Sequence, residues 1–272
     1  MLSGKRALVT GASSGIGAEL ARMLAAEGVN LVLTARRRDA LERVATECGA
    51  KGVKVDIVTA DLGQPGAAKP LWEAASAGGP IDVLVNNAGF GYFRAFLDAD
   101  YQRDAELLQL NITALVELSR RFLEARNGNP DRAFLVNIAS IAAYQSTPNF
   151  AVYTSSKAFV RNFTEALHDE FAGTPISVTC ISPGGTHTEF HASAGAGDYG
   201  WLATRSMLTA AEVAHITLSS MKKGKRNVIP GLMNKISCFG VRFVPRAFAS
   251  WISRRVLGKP RAAALPSRTS AA

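Results

Sequence analysis

Lys5-Arg6-Ala7-Leu8-Val9-Thr10-Gly11-Ala12-Ser13-Ser14-Gly15-Ile16-Gly17 decides the fold. Its first half is short and apolar and reads as a buried strand, and glycines then punctuate a turn at 11, 15 and 17. Leu20, Ala21, Leu24 and Ala25 follow at helical spacing, and Gly28 stands where a helix C-cap is expected. Strand, glycine turn and helix together form the context that a dinucleotide site requires. Glycines let backbone N–H groups approach a pyrophosphate, and the helix N-terminus adds partial positive charge. Gly11, Ser13, Ser14, Gly15, Ile16 and Gly17 are therefore the expected cradle. Their Gly-x-x-x-Gly-x-Gly spacing departs from the more familiar Gly-x-Gly-x-x-Gly.

Working outward, residues 31–34, 53–59, 81–86, 133–139, 176–181 and 227–230 read as six further strands, rich in Val, Ile and Leu. Apolar or amphipathic stretches separate them. The alternation predicts a single doubly wound α/β domain of Rossmann type, with a parallel seven-stranded sheet and helices on both faces. A chain of 272 residues with 47% hydrophobic content suits one such domain. It is expected over residues 1–231, followed by a basic amphipathic helical extension over 232–258 and a disordered tail over 259–272. An Ala/Gly-rich insert at 192–199 reads either as a mobile lid or as an idle surface loop.

Tyr153 and Lys157 stand four apart in Tyr153-Thr154-Ser155-Ser156-Lys157, so a helix places them on one face. An ammonium beside a phenol favours phenolate, which lets the tyrosine exchange a proton with an alcohol or carbonyl. Alone, the pair could be a solvated helix face.

With that turn and that pair in place, the chain resembles a short-chain dehydrogenase/reductase of the ordinary 250-residue type. The resemblance covers about residues 4–230. It rests on Thr10 to Gly17, Asp61-Leu62, Asn86-Asn87-Ala88-Gly89, Asn111, Ser140, Tyr153 with Lys157, and Pro183-Gly184. It implies a proton relay. Ser140 holds the substrate oxygen, Tyr153 gives or takes the proton, Lys157 holds the nicotinamide ribose, and Asn111 holds a water. It also implies adenine contacts from Asp61 and Leu62, and ribose contacts from Asn87, Ala88 and Gly89. Pro183, Gly184, Thr186 and Thr188 are then the nicotinamide loop, although the family usually has a hydrophobic residue where Thr186 stands. Asn86 is expected to tie strands together instead. Each motif has a bland alternative: Ser140 could simply end a strand, and Asn111 could be a helix-kinking core amide.

In NAD-binding folds an acid at the end of the second strand holds the ribose 2′-hydroxyl. Here the stretch reads Leu33-Thr34-Ala35-Arg36-Arg37-Arg38-Asp39, with arginine in that place. Guanidinium suits a 2′-phosphate, so NADP(H) is expected, with Arg36 the main contact and Arg37 a helper. The expected activity is hydride transfer between NADP(H) and a carbonyl/secondary alcohol pair on an apolar substrate such as a ketone, steroid or long chain. A 3-oxoacyl thioester reductase and a non-catalytic NADP(H) sensor are the alternatives. Phe90, Tyr92, Phe93, Tyr144, Gln145 and the stretch 190–201 are candidate pocket residues.

Lys5 leads directly into the first strand and no run of 18 apolar residues occurs, so neither a secretory leader nor a spanning helix is expected. Cys48, Cys180 and Cys238 are odd in number and scattered, which points to reduced thiols and a cytoplasmic setting. His187 and His191 alone are too few for zinc, so no metal is expected. A homodimer or homotetramer built on the helices around Asn111 and Tyr153 is implied by the resemblance.

The formal charge of +9 arises entirely in the tail. From Lys222 onward there are 12 Lys or Arg and no acid, which leaves 19 basic against 22 acidic residues elsewhere. Leu232, Ile236, Phe239 and Phe243 form one apolar stripe, Pro245 breaks it, and Phe248, Trp251, Ile252 and Val256 form another. Apolar stripes ordinarily face a core, here the chain's own body or a second subunit. An anionic membrane surface is the rival reading, making the protein peripheral on the cytoplasmic face. Nucleic acid is not expected, since no base-reading motif accompanies the charge.

Overall fold

A computed structural model gives the structure of the chain and describes residues 2–187 and 207–257. Thr188, His191, the 190–201 candidates, the 192–199 insert and the 259–272 tail lie outside the described residues.

The elements in order are β1 (Arg6–Thr10), α1 (Gly15–Ala26), β2 (Asn30–Thr34), α2 (Arg38–Gly49), β3 (Val55–Ile57), α3 (Ala68–Ser76), β4 (Val83–Asn86), α4 (Tyr101–Leu108), α5 (Leu115–Arg126), β5 (Ala133–Ile138), α6 (Ala151–Glu170), β6 (Ile176–Ile181), β7 (Thr186–His187), β8 (Leu208–Thr209), α7 (Ala210–Lys222), β9 (Asn227–Val228), α8 (Leu232–Gly240) and α9 (Arg246–Leu257). Seven strands form one parallel sheet in the order β3-β2-β1-β4-β5-β6-β9, and β7 pairs with β8 separately. The order reverses between β1 and β4. Ligand crevices in open α/β sheets form at such a point, beyond the carboxyl ends of the strands.

The period of two sorts the strand residues between two cores. Ala7 and Val9 join α1, α2 and α7 on one face, while Leu8 joins α3 and α5 on the other. Burial on both faces is why these strands read as continuous apolar runs. Gly28 terminates α1 as expected, at φ +77°, with its N–H on Ala25 O at 2.9 Å. Asn86 does tie strands: its Nδ2 donates to Asn137 Oδ1 at 2.9 Å and to Ser119 Oγ at 3.0 Å.

Four expected strands are shorter than predicted, β4 beginning only at Val83 and β5 ending at Ile138. The edge strand β3 keeps only Val55–Ile57, and β9 stops at Val228, two residues before Pro230, which has no N–H for a ladder.

The tail helices turn their stripes the other way from the core-facing expectation. Asn234, Cys238, Ala249 and Ser253 are buried, while Leu232, Ile236, Phe239, Phe243, Phe248 and Trp251 face outward. The inner face is small and partly polar, which lets both helices lie close to the body. Pro245 does break the run, and the Phe248 N–H bonds its carbonyl at 2.9 Å as α9 begins.

Candidate active site

The crest of the sheet opens into a cavity of about 1000 Å³. This is at the upper end of ordinary small-molecule sites, which run to roughly 1,000 Å³. Of the predicted cradle, Gly11, Ser13, Ser14, Gly15 and Ile16 line it. Gly17 lies beneath: a Cβ there would sit 2.4 Å from Gly11 O, so the start of α1 and the end of β1 could not approach as they do with any other residue. Thr10 fastens the neighbouring strand end, its Oγ1 accepting the N–H groups of Asn87 and Ala88 at 3.0 Å each. Asn87 Nδ2 reaches across to Thr10 O at 2.9 Å. The first turn of α1 carries no acid, so its N-terminal partial charge is left for an anion.

These residues fit a dinucleotide. Asp61, Leu62, Asn87, Ala88 and Gly89 line the same cavity. Arg36 and Arg37 are exposed at its edge, with Arg37 Nη2 3.4 Å from Ser14 Oγ. Two cations beside the cradle suit an additional phosphate.

Ser140, Tyr153 and Lys157 converge on the cavity from the end of β5 and the first turns of α6. Ser140 Oγ accepts the Ala142 N–H at 3.1 Å, capping the short 3₁₀ turn Ile141–Tyr144, and makes only a 3.5 Å contact to Pro183 O. Tyr153 is 7% exposed and stacks on Phe150 with ring centroids 4.3 Å apart. Gly91 backs the ring so closely that a Cβ would sit 2.4 Å from Tyr153 Cδ2. Lys157 Nζ lies 5.9 Å from the Tyr153 ring centroid and donates to Ile138 O at 2.9 Å. Burial holds the Lys157 pKa down to about 8.

Asn111 stands behind the cavity, 1% exposed, in the π-helical turn Gln109–Ala114 between α4 and α5. Its Oδ1 accepts the Phe90 N–H at 3.1 Å, and its Nδ2 donates to Phe90 O at 3.0 Å and to Ser156 Oγ at 3.1 Å. The side chain thus clamps the loop after β4 to the helix that carries Tyr153 and Lys157. Pro183, Gly184 and Thr186 line the cavity on its third side, with Thr186 Oγ1 on Gly184 O at 3.1 Å.

Of the substrate candidates, Phe90, Tyr144 and Gln145 line the cavity, and Tyr92 and Phe93 do not. The Tyr92 hydroxyl hydrogen-bonds Asp104, and burial together with that carboxylate raises its pKa. Phe93 packs edge-on against the far side of Phe150, 5.7 Å away. Sequence reasoning missed Phe150, although a position three before Tyr153 was a signal for a neighbour on the same face. It also missed that α8, α9 and the turn between them wall the cavity, through Met233, Asn234, Cys238, Val241, Ala249, Ile252 and Ser253 among others. A Cβ on Gly184 would meet Asn234 Nδ2 at 2.4 Å, so this wall touches the predicted nicotinamide loop. Cys48, Cys180 and Cys238 are buried free thiols, and burial pushes Cys180 and Cys238 up to about 12.

Comparison with known proteins bears on the fold and the family. A bovine dehydrogenase/reductase, SDR family member 7B, is 34% identical over 238 residues, covering 82% of this chain and 72% of the relative. Among solved structures, a 7β-hydroxysteroid dehydrogenase superposes with TM-score 0.84 at 26% identity, covering 93% of this chain and 97% of that one. Both nicotinamide cofactors occur among the neighbours. A Sphingobium yanoikuyae short-chain dehydrogenase in complex with NADPH has TM-score 0.78 at 26% identity, covering 96% of this chain and 99% of that one. A Burkholderia phymatum relative in complex with NAD also has TM-score 0.78 at 26% identity, over 89% and 92%. The short chain dehydrogenase family model matches residues 5–198, and the chain belongs to the short-chain dehydrogenase/reductase family of oxidoreductases.

Proposed function

We propose that the protein is an NADP(H)-dependent oxidoreductase acting on a carbonyl/secondary alcohol pair, and that it works as a reductase on an apolar ketone. The observation that carries this reading is the convergence of Ser140, Tyr153 and Lys157 on one cavity, with the glycine cradle at one side and an apolar wall at another. A bound nicotinamide supplies or accepts the hydride. The Ser140 oxygen accepts the Ala142 N–H, and its proton makes a long contact to Pro183 O, from which it can turn to the substrate oxygen. Tyr153 delivers or removes the proton at that oxygen, and the Lys157 ammonium favours the phenolate that proton transfer leaves behind. Lys157 also holds the ribose hydroxyls. The Asn111 side chain positions Phe90 and Ser156, and the irregular main chain of its π-turn is the part left to hold a relay water.

Arg36 and Arg37 hold a 2′-phosphate, Asp61 and Leu62 meet the adenine, and Asn87, Ala88 and Gly89 meet its ribose. Pro183, Gly184, Thr186 and Thr188 close on the nicotinamide. The apolar substrate class is supported by Phe90, Phe150, Val241, Ala249 and Ile252 on the cavity wall. A homodimer or homotetramer is supported by apolar residues left outside around α4 and α6: Leu97 is 92% exposed, Tyr101 82% and Phe159 40%.

The test is cofactor oxidation, with NADPH and NADH, against small aldehydes, quinones, 3-oxoacyl thioesters, steroids and long-chain ketones. NADPH turnover that disappears in Tyr153→Phe is expected, fastest with the ketones. Fastest turnover with the thioesters would select that substrate class instead. Binding of NADPH with silence across the panel would point to a sensor.

A further inference from the structure

The tail helices have two faces with different occupants, and only the inner one is explained by the cavity. Outside, Leu232 is 72% exposed, Ile236 57%, Phe239 58%, Phe243 73%, Phe248 48% and Trp251 49%. Within two helices this is an unusual concentration of large apolar side chains in water, and patches of that kind mark interaction surfaces. The charge on the same surface has one sign. Lys235, Arg242, Arg246 and Arg255 are exposed among the aromatics, and no acid follows Glu212 anywhere in the sequence. Arg255 lies 4.3 Å over the Trp251 ring and Arg242 lies 6.0 Å over Phe239, so cations and aromatics share one surface.

That chemistry selects among partners. A second copy docked face to face would bring this cationic surface against itself, and like charges across an interface are costly. An anionic bilayer offers phosphate headgroups to the cations and an interfacial layer to Trp and Phe. A second observation links the surface to the site. Met233 and Ile252 are both exposed, at 55% and 39%, and both line the catalytic cavity. They form an apolar rim shared by the outer face and the interior.

We propose that the helices Leu232–Gly240 and Arg246–Leu257 dock on an anionic bilayer, and that the apolar substrate passes between bilayer and cavity across the Met233–Ile252 rim. Docking stands on the exposed surface alone. Passage rests on the ketone reading above, and the two are measured separately.

The experiment uses the full chain and vesicles of phosphatidylglycerol with phosphatidylcholine, 1:1, against pure phosphatidylcholine, read by co-sedimentation. Wild type should bind the anionic vesicles about a hundredfold more tightly, since each engaged cation contributes roughly fivefold. Phe239→Ser/Phe243→Ser/Trp251→Ser should lose about a thousandfold or more in anionic-vesicle binding, because each buried aromatic is worth about tenfold or more. Its NADPH-dependent turnover of a water-soluble ketone should stay unchanged. Lys235→Glu/Arg242→Glu/Arg246→Glu, a variant of exposed residues that leaves the apolar stripe intact, should lose about a hundredfold or more. Equal partitioning of wild type and both variants would overturn docking. So would a wild-type dimer that the aromatic variant makes monomeric with no vesicle binding by either, which would assign the surface to a second copy. For passage, kcat/KM on a long-chain ketone dissolved in anionic vesicles should fall about tenfold or more in the variants, and equal values would overturn that step. Vesicle binding by a chain that turns over no carbonyl would sink the activity reading and leave docking standing.

Discussion

Phe122 stacks edge-on against Trp72 beneath the sheet and is fully buried, whereas Phe239 and Phe243, in the same edge-on arrangement, stand 58% and 73% exposed on the tail. The two pairs are chemically alike and differ in what lies over them. Beneath the sheet, large apolar residues meet a second layer, and Asn86 Nδ2 donates to Asn137 Oδ1 within it. On the tail, small and polar residues face inward and aromatics face outward. A periodic stripe therefore reports that a helix has an apolar side, and it does not report where that side finds a partner.

The contrast can be attacked by mutation, beginning with the chemistry. Tyr153→Phe should lower turnover by roughly 10²–10⁴ while NADPH binding persists. Near-normal turnover would remove Tyr153 from its role, and with it the claim that the reaction belongs to the sheet side. For packing, Phe122→Ala should cost about 3–5 kcal/mol in urea unfolding. Phe239→Ala should stay within about 0.5 kcal/mol. Equal losses would mean that the tail aromatics are core after all.

The buried charge of Lys157 gives a test by pH. Its folded pKa near 8 lies below the ordinary 10.5. Below pH 8 both states hold the proton, and the folded state carries the full cost of burying it. Between the two values the unfolded state binds more protons, so stability rises with pH. Relative to Lys157→Met, wild-type stability should climb by roughly 3 kcal/mol from pH 7 to pH 11. A flat difference would mean that the ammonium is solvated. A smaller effect is expected at the cavity edge. Arg36→Asp should shift the NADPH/NADH preference by roughly 10- to 100-fold, the scale of a hydrogen bond to a charged group. An unchanged preference would separate Arg36 from the cofactor.

What was legible in the sequence was local. The glycine turn, the apolar strands, the Gly28 cap and the Tyr153/Lys157 spacing each follow from backbone rules that act over a few residues, and each is present in the structure, the strands in place though several end short. Asn111 was legible as a position, yet its clamp on Phe90 spans 21 residues and depends on the π-turn. Tyr92 and Phe93 are close neighbours of Phe90, yet the chain turns them away towards Asp104 and the far side of Phe150. The wall was illegible for the same reason: Asn234 meets Gly184 across 50 residues, and no period encodes that meeting.

That meeting limits how this enzyme can be rebuilt. Asn234 occupies the volume that a side chain at 184 would need, and it is anchored to Pro230 O at 2.9 Å. The tail is thus not a detachable module. A graft from another chain would have to bring a small, flat side chain at 234, or a compensating loop at 184. Exchange between relatives should succeed when loop and tail travel together and fail when either travels alone.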